Sequence, residues 1–221
     1  MVISEYSGIG IIGPHPSRLL RAIAQFFSIV FHPLLISTYV FAFLIYVHPS
    51  AFAGMDRHTK DLRMISVILN TVFFPAFSLF LARRLKLINS LLLNTRQDRL
   101  VGFIVTMLFY FWTSYVFRNR ADTPSVAAHF VLGTFLVVCA TWMCTIFYKV
   151  SLHAAAMGGL VSFFILYGQT DPYVSGLYLA VPILIAGIVC SSRLILGSHN
   201  WFEMISGFIA GILAQSAGWL F

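Results

Sequence analysis

The chain has 221 residues, of which 59% are hydrophobic and only 10% are charged. Soluble domains carry about a quarter charged residues, so this composition excludes an ordinary water-soluble fold. The net charge is +7, but the basic residues lie between apolar runs and do not follow one face, which argues against a nucleic-acid partner. The expected partners are the membrane bilayer and its anionic lipids or phosphates.

The apolar runs predict an all-α, polytopic transmembrane helical bundle of six to seven spans. Each run is about as long as the ~20 residues that a helix needs to cross hydrocarbon, and exposed backbone cannot persist in lipid. No internal repeat or low-complexity linker divides the chain, so residues 1–221 are expected to form a single integral membrane domain. In chain order, the seven candidate spans cover residues 22–47, 64–82, 101–117, 126–148, 153–169, 174–191 and 201–221.

Three polar loops are expected to lie on the same side of the membrane. These loops, at residues 83–100, 149–152 and 192–200, are separated from one another by two crossings each. A count of Lys and Arg places their side in the cytoplasm by the positive-inside rule. When the four basic residues that are candidates for chemistry are set aside, each side has five Lys and Arg residues, and the rule no longer predicts the orientation.

The segment 192–203 carries the most specific motif of the chain: Ser-Arg, five residues, His, three residues, Glu. On a helix that begins here, His199 and Glu203 share a face, so the carboxylate can accept the Nδ1–H and leave Nε2 free to attack. The planar guanidinium of Arg193 suits phosphate oxygens. The alternative is an interfacial His and Arg, with Glu203 capping the first turn of the last span.

This motif resembles the third signature of the type 2 phosphatidic acid phosphatase family, in which Asp usually occupies the place of Glu203. The resemblance implies hydrolysis of a lipid phosphate monoester or pyrophosphate through a phosphohistidine, with no metal and no other cofactor. It implies that His199 is the nucleophile, that Glu203 orients it and that Arg193 stabilises the transition state. Bacterial members of the family place the site toward the periplasm, so we expect a bacterial inner-membrane protein with that orientation.

The sequence Ser151-Leu152-His153 resembles the second family signature, Pro-Ser-Gly-His, at two of its four positions. Val150 stands in the place of the proline and Leu152 in the place of the glycine. The resemblance implies that His153 protonates the leaving oxygen as a general acid and that Ser151 belongs to the phosphate-binding set. The alternative is an ordinary interfacial histidine at the start of the fifth span.

The first family signature, Lys, six residues, Arg-Pro, is absent. Arg96 and Arg99 stand in its place, about one helical turn apart before the third span, where they could bind phosphate from one side. The alternative is a basic loop anchored to anionic headgroups. The phosphatase-like signatures thus extend over residues 94–221. Lys149 is a weaker candidate, because a lysine at a helix end more often snorkels to the interface.

Other prominent residues are interpreted as structural. His32 and His129 have no matched partner in the sequence, which favours packing or hydrogen bonding within the bundle. Gly207 and Gly211 have the spacing of close helix packing. The three cysteines lie inside apolar runs, and no cluster of His, Cys, Asp and Glu has the spacing of metal ligands.

Two rival functions stay open. One is a catalytically silent relative that binds a phospholipid headgroup, since Leu152, Gly102 and Glu203 depart from the family pattern. The other is a transporter. This function is disfavoured because the polar clusters lie at the ends of the spans, whereas a transporter has its polar site near their middle. The sequence identifies neither the lipid nor the oligomeric state.

Overall fold

A computed structural model describes residues 16–91, 93, 95–174 and 176–221, and within these ranges the chain forms helices and short loops without strands. The expected all-α fold is therefore confirmed. Two π-helical segments, Phe43–Val47 and Leu69–Phe73, continue the second helix and join the third to the fourth. The α-helices are α1 (Arg18–Val30), α2 (Pro33–Ala42), α3 (Arg57–Ile68), α4 (Phe74–Arg84), α5 (Arg96–Asn119), α6 (Ser125–Phe147), α7 (Leu152–Thr170), α8 (Gly176–Ile195) and α9 (Trp201–Leu220).

Five helical stretches among the described residues are long and apolar enough to cross a membrane: Arg57–Arg84, which joins α3 to α4, and the helices α5, α6, α7 and α8. A sixth results if α1 and α2 together form one bent span. The helix α9 has 20 residues but carries Glu203 and Gln215, and it falls outside this set. The chain is thus a helical bundle with five or six apolar helices of membrane length, and a seventh crossing stays a prediction.

The first predicted span is broken near its middle. The chain bends by 60° between α1 and α2, at Phe31 and His32. Pro33 opens α2, and a proline disfavours helical backbone in the residue before it, so His32 has an extended ψ of 140° and caps the new helix. The bend brings Ser28, in α1, to the end of the bundle described below.

The helices α7 and α9 pack so closely that glycine is needed where they cross. A Cβ at Gly211 would collide with the carbonyl oxygen of Ala155, and one at Gly158 with that of Phe208. A Cβ at Gly207 would lie 2.7 Å from the carbonyl oxygen of Ser151. The packing interpretation of Gly207 and Gly211 is therefore confirmed. The close contact aligns the N-termini of the two helices.

Loops between alternate helices meet at one end of the bundle, which we call the site end. Arg96 at the start of α5 donates from Nε to the carbonyl oxygen of Thr145 near the end of α6, at 3.2 Å. The backbone N–H of Ser151, before α7, donates to the carbonyl oxygen of Glu203 in α9, also at 3.2 Å. The expected convergence of the three polar loops is thus present in the fold.

We expect exposed positions at the site end to be accessible from one side of the membrane only. Single cysteines at Gln97, Tyr148 and Asn200, in a background without the native cysteines, should react with a membrane-impermeant thiol reagent from the same side. A cysteine at Ala121, in the loop after α5, should react from the other side. Labelling of Gln97 and Asn200 from opposite sides would contradict this arrangement. The side that labels decides between periplasm and cytoplasm.

Candidate functional site

His199 and Glu203 form a direct pair at the start of α9. Nδ1 of His199 lies 2.7 Å from Oε2 of Glu203, and the two side chains are only 10% and 14% exposed. The side chain of Asn200 caps the helix by accepting the backbone N–H of Glu203 at 2.8 Å. Because the helix begins here, His199 and Glu203, four residues apart, lie on one face. A carboxylate can only accept, so Nδ1 carries the proton and Nε2 has a free lone pair.

The environment of His199 favours its neutral form. Burial lowers the pKa of His199 below its ordinary value of 6.5, and the charges of Lys149 and Arg193 act in the same direction. The Glu203 carboxylate opposes them without reversing the shift. A neutral imidazole with a fixed Nδ1–H is the state in which Nε2 is a nucleophile.

Lys149 connects two of the converging loops. Its Nζ donates to the carbonyl oxygen of Ser198 at 2.7 Å and lies 3.6 Å from Oε2 of Glu203. From the sequence, Lys149 is a weak candidate for phosphate binding, because a lysine at a helix end more often extends to the membrane interface. The structure instead places its ammonium group beside the carboxylate that orients His199, where it contributes positive charge to the site.

Arg193 and His153 meet at Ser28, a residue of α1. Nη1 of Arg193 donates to the hydroxyl oxygen of Ser28 at 3.0 Å. Nε2 of His153 lies 3.2 Å from the carbonyl oxygen of Ser28 and 3.4 Å from its hydroxyl oxygen. Because a carbonyl oxygen only accepts, this contact places a proton on Nε2 of His153. Nε of Arg193 is buried and has no hydrogen-bond partner among the described residues.

Arg99 lies at the same end of the bundle, at the start of α5. It is close enough to Glu203 and Arg96 for their charges to interact with its own. Its Nε is also buried without a hydrogen-bond partner in the described part of the chain. A buried, unpaired guanidinium N–H is costly in a low-dielectric site, and an anion that accepts from it removes that cost.

Two predicted phosphate ligands have structural contacts of their own. The exposed Arg96 uses its Nε to bind the carbonyl oxygen of Thr145. Ser151 is fully buried, and its hydroxyl oxygen caps α7 by accepting the backbone N–H of Ala154 at 3.3 Å. A role of either residue in phosphate binding stays a prediction.

Sequence reasoning missed Ser28 and the position of His32. The ring of His32 lies edge-on to that of His153, with centroids 5.4 Å apart, and its Nδ1 accepts the N–H of Leu34 at 3.3 Å. His32 thus packs and hydrogen-bonds within the bundle, but its neighbour is a candidate catalytic residue, and a purely structural role for His32 stays a prediction. His129 packs against Trp219 with centroids 5.2 Å apart. The His32-Pro33 pair is a sequence signal that could have predicted the helix break, whereas no sequence signal indicates Ser28.

Comparison of the chain with protein-family models, curated proteins and solved structures gave no match. No group of three or more His, Cys, Asp or Glu side chains within the described ranges is arranged to hold a metal ion. Among the described residues, the groups that converge are His153, His199 and the neighbouring His32, the carboxylate of Glu203, and the cations Arg99, Lys149 and Arg193; the cations favour an anionic ligand.

Proposed function

We propose that the protein is a membrane lipid phosphatase, which hydrolyses a lipid phosphate monoester or pyrophosphate through a phosphohistidine at His199. The observation that carries this proposal is an imidazole oriented by Glu203, at the same end of the bundle as two guanidinium groups whose buried Nε–H donors have no hydrogen-bond partner among the described residues. The imidazole supplies a nucleophile, and the guanidinium groups supply donors for the charge that develops on phosphate oxygens. The motif resemblance to phosphatidic acid phosphatases supports the same reaction.

The proposed reaction has two steps. In the first, Nε2 of His199 attacks phosphorus and the bond from phosphorus to the lipid oxygen breaks, while His153, in its imidazolium form, gives one proton to that oxygen and becomes neutral. In the second, water attacks the phosphohistidine and gives a proton to His153, so that inorganic phosphate leaves and both histidines return to their starting states. Arg193 and Arg99 stabilise the transition state of each step, and Glu203 stabilises the positive charge on His199.

A catalytically silent lipid-binding relative is the alternative, and the position of Leu152 bears on it. The leucine stands where the family has glycine, but its side chain packs against the cluster of Phe103, Tyr110 and Val138 in the bundle. It therefore fills a gap between helices. This placement favours an active enzyme over one blocked at that position.

We expect the purified protein to release phosphate from lipid phosphates in detergent without an added metal ion. The panel comprises polyprenyl pyrophosphate, phosphatidylglycerophosphate, phosphatidate and lipid A phosphates, which all present a terminal phosphate group. Chelation of divalent ions should leave the rate unchanged, because the proposed nucleophile is a side chain and not a metal-bound water. Loss of activity with chelator and its recovery with a divalent ion would refute the metal-free mechanism. Binding without phosphate release would support the silent relative.

We expect His199 to stay neutral when an ordinary histidine becomes charged. Its lowered pKa means that protonation requires a more acidic solution than pH 6.5, so the nucleophile stays available as the pH falls through that value. Imidazole chemical shifts in a ¹³C-labelled sample, assigned by their loss in His199→Gln, measure this directly. A short histidine peptide serves as the reference. A midpoint at or above that of the peptide would contradict the expectation.

A further inference from the structure

An open groove runs between α1 and α8 on the side of the bundle. Its volume is about 520 Å³, within the usual range of ligand-binding pockets. Apolar side chains form most of its lining, and Gly187 leaves space in one wall, because a Cβ there would have no atom of another described segment within 4 Å. The residues that line the groove on α1 are Leu20, Ile23, Ala24 and Phe27, opposite the segment of α8 from Ile183 to Ile195.

One end of the groove lies next to the candidate active site. Ser192 lines the groove, and the next residue of α8 is Arg193. On α1, Ser28 follows the lining residue Ala24 by one turn and accepts from Nη1 of Arg193. The apolar groove therefore ends beside a guanidinium group whose buried Nε has no hydrogen-bond partner among the described residues.

The exposed faces of α1 indicate that the groove borders the membrane interface. Leu19, Ile23 and Phe26 are 71%, 43% and 61% exposed, as expected of side chains in contact with lipid. Arg18 and Arg21 are exposed on a different face of the same helix. A helix with separate apolar and basic faces lies where hydrocarbon meets headgroups. A molecule that places its phosphate at Arg193 and its chain in the groove would match both environments.

We infer that this groove binds the hydrocarbon chain of the lipid phosphate, with Gly187 and α1 determining which chains fit. The inference rests on the proposed function and deepens it, because it assigns substrate selectivity to a helix outside the region of family resemblance. The preferred substrate is then a membrane-embedded amphiphile, and a phosphate ester without a long chain lacks the contacts that the groove provides.

A side chain introduced at Gly187 tests the inference. A Cβ at Gly187 has no neighbour within 4 Å among the described residues, and Gly187 lines the groove, so we expect Gly187→Trp to place its ring in the groove and to fold like the wild type. The ratio of kcat/KM for dodecyl phosphate to that for the soluble ester phenyl phosphate should fall about tenfold or more, since the blocked volume removes chain contacts. Gly176→Trp is the matched control, because Gly176 is equally open but does not line the groove. Equal ratios in the two variants and the wild type would overturn the inference.

A binding measurement separates the groove from the chemistry. A long-chain phosphate monoester with a photoactivatable group in its chain should label peptides of α1 and α8 in the wild type and in His199→Ala, and should label Gly187→Trp much less. Such labelling without any phosphate release supports the groove and refutes the phosphatase proposal. Phosphate release with labelling confined to other helices refutes the groove and leaves the phosphatase proposal intact.

Discussion

Replacing His199 with alanine should abolish phosphate release, with a loss of about 10⁴-fold or more in kcat. The phosphohistidine forms on Nε2 of this side chain, whose Nδ1 is held by Glu203 at 2.7 Å. His153 cannot take its place, because its Nε2, 3.2 Å from the carbonyl oxygen of Ser28, carries a proton and has no free lone pair with which to attack. Phosphate release from a lipid phosphate by purified protein, with trapping of the phosphoenzyme, measures the effect.

The control for this variant is His58→Ala. His58 is exposed near the start of α3, and the variant removes an imidazole of the same size from outside the site. It should retain the activity of the wild type. The thermal unfolding midpoint of both variants shows whether they fold. Turnover like that of the wild type in a folded His199→Ala protein would refute the mechanism, even if the protein binds lipid phosphate.

Replacing Glu203 with glutamine should reduce kcat by about 10⁴-fold, whereas aspartate should cost far less. Oε2 of Glu203 accepts from Nδ1 of His199 and lies 3.6 Å from Nζ of Lys149. Glutamine removes the negative charge that stabilises the imidazolium, and its amide can donate to Nδ1 and select the wrong tautomer. Aspartate retains the negative charge on a shorter side chain. It is also the usual residue at this position in the family that the motif resembles.

A purely structural role of Glu203 predicts a different result. The backbone N–H of Glu203 bonds to the side chain of Asn200, and this cap does not depend on the carboxylate. Both variants should therefore keep the helix start and a similar thermal unfolding midpoint. Equal losses of activity in the two variants would show that the charge facing His199 has no catalytic role. The pH dependence of kcat for Glu203→Asp should stay close to that of the wild type.

The part of the site that could be predicted from the sequence is the part built by local geometry. His199 and Glu203 are four residues apart, and Asn200 begins a helix between them, so helical periodicity alone puts both side chains on one face. Alternation of apolar helices likewise brings the loops that hold Arg99, His153 and His199 to one end of the bundle. These conclusions needed only spacing and the length of each apolar run.

Contacts between distant segments could not be predicted in this way. Ser28 meets His153 across 125 positions and Arg193 across 165. The alternation of spans places the start of the first span on the same side as the three loops, but it does not predict which helices pack together there. The helix break before Pro33, and the packing of α1 against α8 that follows it, produce both contacts.

The sequence by itself thus determined a helical membrane protein with a local His–Glu pair and nearby basic residues. Only the tertiary structure decided which cations lie at that pair, where Lys149 binds, and that α1 closes one side. The physical reason is that hydropathy and helical periodicity act over a few turns, whereas these contacts depend on how closely helices approach. That approach depends on glycine contacts such as that of Gly211 with Ala155, whose geometry exists only once α7 and α9 have packed.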